Sequence, residues 1–397
     1  MTTQLLDPTT DRPTSEPTGP ELLATMGGFA AEIDARAAEG DTARRVPQDL
    51  VDRMQAAGVF RMSLPRSLGG LELDPPSVCA VIEEASRADG STGWTIMIGQ
   101  SPMFFAWLDP RVAASMIGTG GDVMASSMFG PMGRAVPDGN GGLVVNGRWP
   151  FNSACVHAGW HALGVMVTDG DAPGLRADGQ PDRRFAYVRR SDVEIVDTWD
   201  AGGLRATSSH DIVIRDLVVP DEHTAMPMFD AAPHDGPLWK LPFFVVLGPF
   251  MASVPLGIGR RALDELAAVA STKARGASPG ASIANDTHLQ VRYAQAEAGL
   301  RAARGLLFET ATDAWDTVSR GDRLTPDQEA LVGAATQQCM RAGIEAVDLC
   351  YTSVGGSAAY SSHPLQRCFR DIHTATQHLV FRTENWTTLA KVRFGVA

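Results

Sequence analysis

The chain has 397 residues, with 34 basic and 46 acidic side chains and a formal net charge of −12. That length predicts two or three domains with an ample core, and the acidic balance disfavours a broad nucleic-acid footprint or an anionic membrane surface as partner. The five cysteines include no CxxC pair, which argues against a disulfide framework or a zinc ribbon and points to a reducing cytoplasm.

Residues 1–20 read as a flexible tail, rich in Pro, Thr and Asp and lacking the basic start and apolar core of a signal peptide. Residues 21–118 read as an α-helical domain. Pro47 suits a first helical turn, Gly58 a helix end, and Val78, Ile82 and Ala85 recur at helical spacing before Asp89-Gly90 interrupts. Residues 119–234 change to short β-branched runs, GGLVVNGRWPFNS, HALGVMVTDG, RRFAYVRR, VEIVDTW and HDIVIRDLVVP, as in an antiparallel sheet or small barrel. The cluster at residues 138–142, DGNGG, is a hairpin turn.

Residues 235–397 return to helix. Tyr293, Ala296, Leu300, Ala303 and Leu307 alternate steps of three and four, the stripe of a bundled helix; a second helix runs from Pro326 to Val354, stopped by Gly355-Gly356, and Pro364 opens a third. No uninterrupted apolar run is read as approaching the ~20 residues that cross a bilayer. The class is α+β, ordered helices, β domain, helical bundle.

Generic catalytic motifs are missing: no GxGxxG after a strand, no GxxxxGK[ST], no HExxH and no GxSxG. His157 and His161 share a strand face without a nearby carboxylate or cysteine pair, so packing outweighs a metal site, and no metal is expected. His373 and His378 lie in the helical stretch RDIHTATQH. Five residues turn a helix by about 500°, leaving the imidazoles about 140° apart, so one can face a pocket while the other faces the bundle. In GRWPFNS, Trp149 and Ser153 offer an aromatic plane near a hydroxyl, suited to a flat heteroaromatic ring; Trp149 as plain core is the equal alternative.

Five motifs in order resemble the acyl-CoA dehydrogenase superfamily over nearly the whole chain after the tail: SLPRSLGGLELD, DGSTGW, NGRWPFNS, GLRATSSHDIVIRDLVVP and VGGSAAY…HPLQRCFRD. The resemblance implies an N-terminal helical domain, a middle antiparallel β-barrel and a C-terminal four-helix bundle. Dehydrogenases of that superfamily place a catalytic glutamate about eight residues beyond the Arg-Asp pair; here Leu379 stands there, beside His378, and a leucine cannot accept a proton. SSMFGPMGRA replaces their acidic, Gly-rich loop.

Both departures resemble the flavin-dependent monooxygenase branch, the oxygenase components of two-component aromatic hydroxylases, with its "R-D-x-H-x-x-x-x-H" and "G-x-W-x-x-x-S". That resemblance implies reduced FAD or FMN supplied by a separate flavin reductase, O₂ as co-substrate, and a flavin C4a-hydroperoxide that hydroxylates an aromatic substrate. It also implies a homotetramer. His378 and Ser153 would be catalytic, with His378 near the flavin C4a and able to hydrogen-bond the distal oxygen or take the substrate proton. Trp149 would lie against the isoalloxazine and Ser153 near N5, while Arg275, Gly355, Gly356 and Asp371 would meet the phosphates. Trp94, Gln100, Ser101, Phe104 and His373 would line the substrate pocket. Relatives often carry a histidine where Gln100 and Ser101 stand, and Met97, Met103, Phe104 and Phe105 point to a larger apolar guest, indole-like or polycyclic. The alternatives are an acyl-CoA dehydrogenase, an N-oxygenase of an amine or amino sugar, or a silent scaffold with a vestigial site.

Overall fold

A computed structural model describes residues 16–118, 124–170, 172–227, 230–273 and 282–396. Most of the expected tail lies outside the described residues. Helix α1 (Gly19–Ala43) begins two residues before Glu21, whose carboxylate reaches back to the Thr18 N–H at 2.8 Å and supplies one of the orphan-group partners a helix start needs. Helix α2 (Gln48–Ala56) follows Pro47. Asp89 separates α3 (Pro75–Ala88) from α4 (Gly90–Ile98), and its carboxylate caps α4 by accepting from Thr92 N–H at 2.8 Å. Helix α5 (Pro110–Ile117) closes the first helical region.

Among the described residues eight strands follow: β1 (Ala125–Pro137), β2 (Gly142–Asn152), β3 (Trp160–Asp169), β4 (Ala172–Pro173), β5 (Arg183–Arg189), β6 (Glu194–Val196), β7 (His210–Pro220) and β8 (Thr224–Ala225). The sheet runs β6-β7-β2-β1-β3-β5-β8, with β4 paired to β3. The expectation of an antiparallel barrel is corrected: the sheet is mixed, because β1 and β3 are parallel. β1 and β2 form an antiparallel hairpin. The chain then reverses again after Asn152 and re-enters on the far edge of β1, which leaves β3 running with β1. Inside this sheet Trp149, Leu163, Val165 and Ile212 form a core of their own.

The last region comprises α6 (Phe243–Ala270), α7 (Thr287–Ser319), α8 (Pro326–Val354), α9 (Pro364–Ala375) and α10 (Glu384–Phe394). Leu300, Ala303 and Leu307 of α7 are buried against the bundle. A Thr325–Gln328 capping box starts α8, and Gly355 at φ +69, a region that favours glycine, ends it. The expectation that no apolar run approaches membrane-spanning length is corrected: α6 is long and apolar enough to cross a membrane, yet most of it is buried as the central helix between α3, α7 and α8. A single large core joins the first helices to this bundle.

Candidate active site

A cavity of about 460 Å³ lies where α4, β1, the end of β2, the segment 199–209 and the turn after α9 converge. Trp94 and Ile98 come from α4, Met128 and Phe129 from β1, Phe151 and Ser153 from the end of β2, Trp199 and Leu204 from the 199–209 segment, and His378 and Leu379 from the last turn. No Asp, Glu, Lys or Arg is among the described residues lining it. A larger cleft, about 700 Å³, between residues 231–242 and the α7–α8 turn includes Lys240, Arg323, Asp322 and Glu329 and none of the motif residues. The motif residues Trp94, Ser153 and His378 converge on the smaller, uncharged space.

Backbone strain is concentrated around that space. Phe151 (φ 63) and Leu204 (φ 48) line it, and Ala154 (φ 63) and Ser208 (φ 49) adjoin lining residues. Non-glycine residues held at positive φ cost on the order of 1–3 kcal/mol each, which clusters at sites where surrounding structure over-determines the geometry.

Trp94, Ser153 and His378 are brought together. Trp94 Nε1–H donates to Ser153 Oγ at 3.0 Å, and the indole meets the His378 ring edge-on with centroids 5.7 Å apart. Ser153 Oγ lies 2.7 Å from Ser209 Oγ, which lies 2.6 Å from Thr207 Oγ1. Burial, with Arg382 adding to it, pushes His378 down to about 4, so the imidazole is neutral at neutral pH. Its Nδ1 accepts from Val380 N–H at 3.2 Å, which assigns the proton to Nε2. His378 therefore presents an Nε2–H donor to the cavity, which fits the first of its two expected roles, a hydrogen bond to an oxygen, better than the second, taking the substrate proton.

Several expected site residues lie elsewhere. Trp149 is fully buried in the sheet core, its Nε1–H donated to Gly164 O at 2.7 Å; the aromatic at the cavity is Phe151, 65% exposed, with Trp199 at 6.4 Å. Gln100 is spent on the backbone carbonyls of Val59 and Ile96 at 2.8 and 3.1 Å, behind the wall. Ser101 sits behind Ser127, 2.8 Å away, and Phe104 behind Phe129, so both support the lining without being part of it. His373 turns to α8, with Nε2 2.9 Å from Asp348.

Asp371 is no phosphate ligand either. It is buried, accepts from Leu204 N–H at 2.6 Å, and is pushed up to about 7 by burial and by the neighbouring Asp89. Arg370 donates to Gly202 O at 2.8 Å, and a Cβ on Gly203 would fall 2.1 Å from Arg370 O. The Arg-Asp pair thus holds the strained 202–204 wall. Gly355 and Gly356 are exposed at the end of α8, and Lys273 bonds the adjacent Ser357. Arg275 lies outside the described residues.

The residues missed were Phe151, Trp199, Leu204, Thr207 and Ser209. Three of them lie in GLRATSSH, so the signal was present as a motif without assigned roles.

A flat, uncharged ring system fits this donor and acceptor set: aromatic edges at Phe151 and Trp199, hydroxyl oxygens at Ser153 and Ser209, and strained backbone holding both. A helical region, a sheet and a helical bundle meeting at such a cavity define an acyl-CoA dehydrogenase-type flavoprotein scaffold. The family model "Acyl-CoA dehydrogenase, N-terminal domain" matches residues 21–108, and "Acyl-CoA dehydrogenase, C-terminal domain" matches residues 250–383.

The chain is 34% identical to the indole-3-acetate monooxygenase of Pseudomonas putida, covering 94% of this chain and 95% of that one. It is 29% identical to the flavin-dependent monooxygenase oxygenase subunit HsaA of Rhodococcus jostii, over 90% and 93%. The crystal structure of 3-HSA hydroxylase from Rhodococcus sp. RHA1 superposes with a TM-score of 0.86 at 26% identity, over 97% and 98%. The chain belongs to the flavin-dependent monooxygenase branch of the acyl-CoA dehydrogenase superfamily. It is an oxygenase component, an enzyme that works with a separate reductase.

Proposed function

We propose that this oxygenase hydroxylates a flat, largely apolar aromatic ring of indole size or larger, using reduced FAD or FMN delivered by its reductase. The observation that carries the reading is the 460 Å³ cavity, lined by Trp94, Ile98, Met128, Phe129, Trp199 and Leu379 with a few neutral polar groups. The indole-3-acetate monooxygenase relatives support a bicyclic guest.

When bound, the reduced flavin supplies O₂ activation and the oxygen atom transferred; the rest is the work of this chain. Phe151 and Trp199 flank the cavity's strained edge and would offer aromatic surface to the flat ring of the flavin. The apolar lining excludes water, which strengthens each remaining hydrogen bond. Ser153 Oγ would accept from an N–H of the reduced flavin ring. His378 keeps its proton on Nε2 and donates it to an oxygen on the reacting side, orienting the substrate. Leu379 lines the cavity where a dehydrogenase keeps its base, so proton abstraction beside a thioester has no agent here.

The test is a product screen with reduced flavin and O₂ over phenols, indoles and polycyclic aromatics. A mass gain of one oxygen on an indole or polycycle supports the reading; turnover restricted to single-ring phenols, or flavin bleaching by acyl-CoA thioesters under anaerobiosis, overturns it. A homotetramer in a reducing cytoplasm belongs to the same proposal. Its support is that α10 buries none of its residues and leaves Trp386 and Phe394 exposed, and that all five cysteines are unpaired. Light scattering on the purified protein measures the oligomer.

A further inference from the structure

Four successive residues of β1, Ser127, Met128, Phe129 and Gly130, all reach the cavity. A regular strand sends alternate side chains to opposite faces and could not do this. Here the pairing of β1 with β3 slips between Met128 and Gly133, and the irregular stretch brings Met128 into the wall. Its sulfur is held there: Gly130 N–H donates to Met128 Sδ at 3.1 Å and takes one lone pair, leaving the other. Among the described residues lining the cavity, only Met128 carries sulfur. Met97, Met103 and Met124 are buried outside it, and Met132 is 53% exposed to solvent. A thioether is soft and polarizable, and a two-electron oxygen donor converts it to a sulfoxide.

We propose that Met128 is the residue this oxygenase oxidises in itself when no aromatic guest occupies the cavity, and that the sulfoxide limits its working life. The inference rests on reading the cavity as the flavin and substrate site. An enzyme that moves an oxygen atom onto an electron-rich ring delivers it into the space Met128 lines, and with the ring missing the thioether is the nucleophile left there. In the step, one atom of O₂ forms the S–O bond at Met128 Sδ and the other leaves as water with two hydrogens from the reduced flavin. Sulfur and reduced flavin each give two electrons, so O₂ is fully reduced and the flavin ends oxidised. The sulfoxide sets a strong acceptor dipole in a wall shared with Ile98, Phe129 and Leu379, where an apolar guest cannot pair it.

The experiment supplies the full-length protein with reduced FMN, and separately with reduced FAD, under O₂ without any aromatic and with catalase to remove free peroxide. Tryptic digestion leaves Met124, Met128 and Met132 together on the peptide ending at Arg134, one buried, one at the cavity and one in solvent. Fragment-ion sequencing then reads the added oxygen on each. Met128 should carry about tenfold more than either neighbour, and only with reduced flavin and O₂ present together. Met128→Leu, which keeps the volume and removes the sulfur, should lose oxygenation activity per flavin oxidised about threefold more slowly than the parent, each read against its own starting rate. Should Met128→Leu fail to fold, the peptide map of the wild type carries the test alone. Equal or greater oxidation at Met132, oxygen on Trp94 or Trp199 in place of Met128, or a folded Met128→Leu that decays as fast as the parent overturns the inference. A protein that converts an aromatic in the product screen but leaves Met128 unmarked overturns this inference alone; one that does neither overturns the reading of the cavity as the flavin and substrate site.

Discussion

Trp149 and Phe151 stand two residues apart on β2 and serve different regions. In a regular strand they share a face with Ser153. Here the pairing of β2 with β7 slips between Trp149 and Asn152, and Phe151 takes φ 63. The slip sends the indole into the sheet core, wedged so closely against Gly133 that a Cβ there would fall 2.1 Å from the ring, and turns Phe151 out to the cavity. The difference teaches that the break in the ladder, rather than the motif around it, decides which aromatic meets a ligand.

The largest effect that separates the two regions is Trp149→Ala. It empties a fully buried site and leaves the Gly164 carbonyl without its donor, so the protein should lose about 3–5 kcal/mol of stability in urea denaturation. If Trp149→Ala keeps the parent midpoint yet loses flavin binding, the division between core and cavity is wrong. On the cavity side, His378→Ala should cost only about 1–2 kcal/mol of stability, for the Val380 N–H left without its acceptor, and slow oxygenation about 10²-fold at saturating reduced flavin, the cost of one directed donor. Because His378 is held down to about 4, it stays neutral above pH 5 and the rate should show no inflection near pH 6.5 assignable to this residue. A pH–rate profile that loses such an inflection in His378→Ala would return the histidine to the role of base.

Much of the fold was legible where chain stereochemistry punctuates it. Pro326 after Thr325, the Gly355-Gly356 stop and Pro364 mark helix ends by steric and capping rules that act locally. β1 was not legible: SSMFGPMGRA holds two glycines and a proline and no alternation, and it is a strand because β2 and β3 flank it. The parallel β1–β3 pairing is non-local and left no sequence signal. In the site, Trp94, Ser153 and His378 could be named from motifs, while Gln100, Ser101 and Phe104 missed the lining by one layer. Spacing along α4 and the turn after it says which residues are near a wall, and only packing says which are its surface. His373 and His378 do diverge, one to Asp348 and the other to the cavity, but the single helix expected to separate them ends at Ala375, so the turn beyond α9 rather than helix rotation places His378.

A pH experiment sharpens the same contrast on the sheet side. His161 is fully buried, has Nδ1 2.7 Å from Ser126 Oγ, and is pushed down to about 3, chiefly by burial. Its folded value lies below the unfolded value of about 6.5, so the unfolded chain binds the extra proton between the two, and stability falls as pH drops through that window. Its share of the loss between pH 7 and pH 5 is about 2 kcal/mol. His161→Gln should flatten that part of the stability–pH curve; a slope identical to the parent's would mean the imidazole is not held neutral.

The smallest effect belongs to Phe151→Ala. The side chain is 65% exposed, touches Trp199 edge-on and fills no core, so denaturation should move by no more than about 0.5 kcal/mol. Losing one aromatic face against a flat ring should weaken reduced-flavin binding roughly tenfold, the scale of a single stacking contact. Stability and affinity then respond in opposite order to the two substitutions: Trp149→Ala strikes the fold first, and Phe151→Ala strikes the ligand alone. If Phe151→Ala binds reduced flavin as the parent does, the exposed aromatic is a surface residue, and Trp199 becomes the plane against which the ring must lie.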